Sequence, residues 1–183
     1  MAAGLRRLEP FLLNGATQVT FREFILSPGD SRWAIVIRLM LAGVFVTEGY
    51  LKLSDPAWLG AGRFAKIGIP WPDVTGPLVG GTEVVCGILM AIGLFNRIAA
   101  IPLIVVMAVA IVSTKIPVLF GRDWWIFSVR KLERYGFFSM THEARLDYAM
   151  LLGALFMLLS GAGRWSLDEK LFGARNSRRN ADR

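Results

Sequence analysis

Four stretches of this chain are almost free of polar residues, and each approaches the thickness of a bilayer. They run at about 33–53, 76–95, 98–114 and 146–163. A helix rises about 1.5 Å per residue, so about 20 apolar residues cross roughly 30 Å of hydrocarbon. The runs lack the in–out alternation of a membrane barrel strand. With no water to satisfy the backbone, each crossing must close its hydrogen bonds within a helix. The pattern predicts an all-α fold, an integral membrane four-helix bundle.

Polar punctuation divides the rest. Residues 1–32 mix Phe and Leu with polar groups and read as a cytoplasmic or interfacial tail. The bundle occupies 33–163 and a polar tail follows over 164–183. Asp55-Pro56 ends the first span, and Ile69-Pro70-Trp71-Pro72 is excluded from helix. Asn96-Arg97 leaves room only for a tight turn, so spans two and three form an antiparallel hairpin. The stretch 115–146, rich in Trp, Phe, Arg and Lys, suits the headgroup level.

Ionisable residues inside a span are costly and need a partner or a wet cavity. Arg38, Glu48 and Lys52 fall within an arc of about 80° on the first span and share one face. Glu48 and Lys52 are also spaced for pairing along the helix. Glu83 lies on a face of the second span with Gly76, Gly80, Gly87 and Met90, a small-residue seam that lets another helix approach. Asp147 opens the fourth span, on a seam with Ala154 and Gly161. Because spans alternate in direction, Glu48, Lys52, Glu83, Lys115 and Asp147 gather at one end, roughly 7–11 Å deep for the first and second glutamates. His142 and Glu143 lie on the same side; Arg38 and Arg97 lie toward the other.

Two main readings of this cluster compete, ahead of ion or lipid-headgroup binding. One is a set of structural clamps, Glu48 with Lys52 and Glu83 with Lys115 or a loop arginine. The other is a group of carboxylates that handles protons beside a bound redox group. Glu48, Lys52, Glu83 and Asp147 are the candidate polar site, with Glu83 and His142 as candidate cofactor contacts.

Composition narrows the chemistry. The 183 residues are 54% hydrophobic, and the mean hydropathy of +0.49 is high for a soluble domain. A formal charge of +7 sits mostly in loops and tails, where anionic lipid is a simpler partner than nucleic acid. One cysteine, Cys86, and one histidine, His142, leave no ligand set for an intrinsic haem, an iron–sulfur cluster or a cysteine-rich metal site. A weak excess of Lys and Arg favours both termini in the cytoplasm.

The residues also carry a resemblance. Arg38, the Phe45-x-x-Glu48-Gly49-x-x-Lys52-Leu53 ending, Gly68-Ile69-Pro70, Glu83, Gly93-Leu94-Phe95-Asn96-Arg97, Asp147 and the string from Gly161 to Asp168 together resemble the DoxX family of small bacterial membrane proteins. The last string is the most specific, and the resemblance spans about 33–172. It implies an inner-membrane protein tied to redox metabolism; related DoxD-type proteins look like the membrane subunit of a thiosulfate:quinone oxidoreductase. A redox-associated subunit of a membrane complex, linked to quinone, is therefore the leading expectation. A non-catalytic subunit of a larger membrane assembly is the alternative. A small transporter ranks third.

Overall fold

The computed structural model describes residues 31–173. Within them the chain is helical, with no strand beyond an isolated bridge between Trp124 and Phe127. Helix α1 spans Ala34–Ser54 and is followed by the short α2, Ala61–Ile67. Helix α3, Pro72–Ile92, opens on the proline whose missing N–H costs nothing in a first turn. Helix α4, Asn96–Thr114, runs on past Lys115 into α5, Ile116–Phe120. Helix α6 spans Phe137–Ser160, and a π-helical turn covers Glu169–Gly173. The amphipathic reading of 1–30 and the arginines beyond 173 lie outside the described residues.

Three of these helices are long and apolar enough to cross a membrane: Ala34–Ser54, Pro72–Ile92 and the combined Asn96–Phe120. This is an all-α membrane protein. The fourth expected span, 146–163, is a helix of full length that begins nine residues early. Nothing after Gly136 breaks it, so it projects His142, Glu143 and Arg145 ahead of its apolar part.

Helix α1 packs chiefly on α3, and α4 on α6. The first pair meets through glycine. A Cβ at Gly49 would lie 2.6 Å from the Gly80 carbonyl oxygen and 2.9 Å from Glu83 Cβ. This is the seam expected from the spacing, and it sets Glu83 at the level of Gly49. The first two turns of α3 therefore reach beyond the end of α1, and α2 folds against them, with Ala61 beside Gly76. The core between the pairs is Leu41, Phe45, Met90, Leu103, Met107, Met150 and Met157.

The α3–α4 turn is Gly93–Phe95, not Asn96-Arg97. Gly93 takes the left-handed conformation at φ +70°, and Asn96 and Arg97 already belong to α4. The reason is a cap supplied from far away. Asp168 accepts hydrogen bonds from the backbone N–H of Phe95 at 2.8 Å and of Asn96 at 3.2 Å. A carboxylate at a helix N-terminus satisfies free donors and complements the helix dipole.

The tryptophans sort to the two ends. Trp33 and Trp165 are exposed at one; Trp58, Trp71 and Trp125 are exposed at the other. Such girdles mark the two headgroup levels.

Candidate functional site

The two ends of the bundle treat charge differently. At the Trp33/Trp165 end, Arg38 is buried and donates to four backbone oxygens. Its Nε reaches Met90 at 3.0 Å, Nη2 reaches Ala91 at 3.1 Å, and Nη1 reaches Ala162 at 2.8 Å and Trp165 at 2.9 Å. Arg97, also buried, donates from Nη1 to Leu158 at 2.8 Å and Leu159 at 2.9 Å. These arginines tie the segment after α6 onto the helix ends. The string from Gly161 to Asp168 thus has a structural role here: it lays carbonyls on Arg38 and a carboxylate on α4.

At the other end lies a cavity of about 420 Å³. Its floor and walls are apolar, made by Val44 and Phe45 of α1, Val106 and Met107 of α4 and Met150 of α6. Its mouth is charged. Glu48, Lys52, Glu83, Lys115 and Asp147 all line it, joined by Arg63 of α2 and Glu143 of α6. Arg63 was not singled out by the sequence pattern, because the polar connection gave no sign of a helix turned inward. Its signal was faint: Phe64 and Ile67, one turn apart, between glycines.

The charges pair across helices. Lys52 Nζ donates to Glu83 Oε2 at 2.7 Å and lies 3.5 Å from Glu48 Oε2. Glu83 is 1% exposed. Lys115 Nζ lies 3.0 Å from Asp147 Oδ2. The expected Glu48–Lys52 pair is present but longer, and Glu83 is held by Lys52, not by Lys115 or a loop arginine. The physical reason is depth: the glycine contact places Glu83 just inside the end of α1, where Lys52 can reach back to it. Among the described residues Arg63 forms no ion pair or hydrogen bond. His142 is exposed and off the cavity lining, so the structure does not bring it to the other candidates. Cys86 is buried in the core. Among the described residues no three His, Cys, Asp or Glu side chains converge as a metal site.

The first and third connections roof the mouth. Ser128 N–H donates to the Ile67 carbonyl at 2.8 Å, and Gly68, at φ +93°, lies against the Ile126 carbonyl. Arg130 Nη1 holds Glu143 at 3.3 Å. Both connections therefore sit on one end of the bundle, as alternation of the spans requires.

Fold and cavity together define a helical membrane protein with an apolar chamber beneath a charged rim. The chain belongs to the DoxX family: the DoxX family model matches residues 33–116. A curated relative, the uncharacterized membrane protein Rv3486 of Mycobacterium tuberculosis, is 46% identical over 137 residues, covering 75% of this chain and 80% of its own length. No solved structure matches. The family match takes in Arg38, Glu48, Lys52, Arg63, Glu83 and Arg97, while Asp147 and Asp168 lie beyond it.

Proposed function

We propose that this protein is a redox-associated subunit of a bacterial inner-membrane complex and that its cavity holds the ring of a lipid-soluble quinone. The observation that carries the reading is the chamber itself: apolar at depth, rimmed by two ammonium–carboxylate pairs, and of a size usual for small-molecule sites. The residues present fit such a group. Lys52, Lys115 and Arg63 are donors for carbonyl oxygens, and the lining hydroxyls of Ser113 and Thr114, already donating to the Ala110 carbonyl, keep acceptor capacity for the O–H groups of the reduced form.

A bound quinone would supply two-electron, two-proton chemistry. The chain's own part is to bind, orient and manage protons. Glu83, shielded from water and tied to Lys52, is placed to hold a proton at a carboxylate oxygen; Asp147 with Lys115 forms a second such pair nearer the surface. Four spans with both termini cytoplasmic would set this rim on the outer side of the membrane. The electron donor is then a protein partner docked on that side. An accessory role in a larger assembly is favoured by a different observation, the exposed Trp125 of the third connection and Phe138 at the start of α6.

Purification of the full chain from native membranes in mild detergent, followed by extraction, tests the reading. The expected result is near-stoichiometric quinone, falling at least tenfold in Glu83→Gln while elution as a folded species is kept. A stable large complex without quinone, whose turnover survives the same substitution, supports the accessory role instead.

A further inference from the structure

We propose that the cavity fills sideways from the bilayer, through a gap between α3 and α4 framed by Thr75, Val79, Val105 and Val109, so that its ligand is a membrane-dissolved amphiphile carrying an apolar chain. The proposal rests on the reading of the cavity as a ligand site and adds its route and its selectivity.

Close contacts mark the other flanks. Gly49 against Gly80 seals α1 to α3, and Gly153 against Leu41 brings α6 close to α1, since a Cβ there would lie 2.9 Å from the leucine. The α4–α6 flank is bridged by Lys115 and Asp147 at one end and Arg97 at the other. The rim is roofed by α2 and the third connection, joined through Ser128 and Ile67. Between residues 72–83 of α3 and 103–114 of α4 there is no hydrogen bond or ion pair. Along that stretch those helices meet through apolar side chains without a polar tie.

The lining itself points outward on that flank. Along α4 it passes from buried Met107 through half-buried Val106 and Ala110 to Val105 and Val109, which are 56% and 48% exposed. Val106 lies about 180° around α4 from Arg97, the residue that reaches α6. Part of the void thus extends to the α3 side of α4, beyond the part that α6 lines. Thr75 and Val79 form the facing stripe on α3, beside the stripe on which Gly76 meets α2 and Gly80 meets α1. A gap with apolar edges, set among helices that face lipid, admits a chain at little desolvation cost.

The test uses the full-length protein in nanodiscs and two probes: a quinone with an isoprenoid tail, and a tailless water-soluble quinone of the same ring. Val109→Trp and Val105→Trp each place an indole over the gap, and Val36→Trp, exposed on α1, is the control. Binding is followed by radiolabel capture, with thermal unfolding as the check on folding. The expected result is an at least tenfold slower association of the tailed probe in both gap variants, with the amount of tailless probe bound at equilibrium unchanged and the control like the wild type. Unchanged association of the tailed probe, with the tailless probe still bound, overturns the side entrance alone. Failure of both probes to bind the wild-type protein overturns the ligand reading beneath it.

Discussion

One end of this bundle spends its charges on backbone and the other spends them on each other. Arg38, Arg97 and Asp168 have hydrogen bonds taken up by carbonyl oxygens and N–H groups of neighbouring segments. Glu83, Lys52, Lys115 and Asp147 pair side chain to side chain around a void. Backbone groups cannot leave, rotate or titrate, so an arginine bound to them is fixed. Carboxylate–ammonium pairs can exchange partners and protons with a ligand. Intramembrane charge is costly at both ends, yet only one end keeps it available. The contrast teaches that a charged residue in a span is read by what satisfies it, not by its presence.

The sharpest way to break the contrast is at Arg38. Arg38→Ala removes four hydrogen bonds to buried and half-buried carbonyls and should cost about 4 kcal/mol or more, seen as loss of folded protein in detergent. Arg38→Lys should rescue little, since one ammonium cannot span the fork. At the open end, Lys52→Met strands the Glu83 carboxylate and should cost about 3 kcal/mol. Adding Glu83→Gln should recover most of that stability in thermal unfolding, but not quinone binding. A double-mutant cycle with full additivity would show that the two do not act as a pair.

Smaller effects sharpen the picture. Asp168→Ala removes the cap of α4 and should lower stability by about 1–2 kcal/mol with ligand affinity unchanged. Arg63→Ala should shift stability by less than about 0.5 kcal/mol yet weaken binding of a tailed quinone roughly fivefold, about the worth of one hydrogen bond. If Arg63→Ala destabilised the fold as much as Asp168→Ala, the unpaired cation at the mouth would be structural after all.

Much of this was legible in the chain. Apolar length places the helices, glycine spacing orients α3, and alternation of direction gathers Glu48, Glu83 and Asp147 at one end. What the chain hid has physical causes. The partner of Glu83 depends on the stagger of α1 against α3, which a close glycine contact sets and a linear pattern does not reveal. Helix α2 is too short to show a period and is masked by its glycines and prolines. The role of Arg38 depends on carbonyls 124 positions away, and backbone acceptors leave no mark in sequence. The turn after α3 was misplaced because its cap, Asp168, comes from beyond the last helix.

The account is tested most directly by photolabelling native membranes with a tailed quinone bearing a light-activated group on its ring, then mapping the adducts by peptide mass spectrometry. The chamber as described predicts labelling concentrated on Val106, Met107, Ala110 and Met150, and competed away by unlabelled quinone. Adducts confined to outward-facing residues such as Val36 and Val85, without competition, would contradict it.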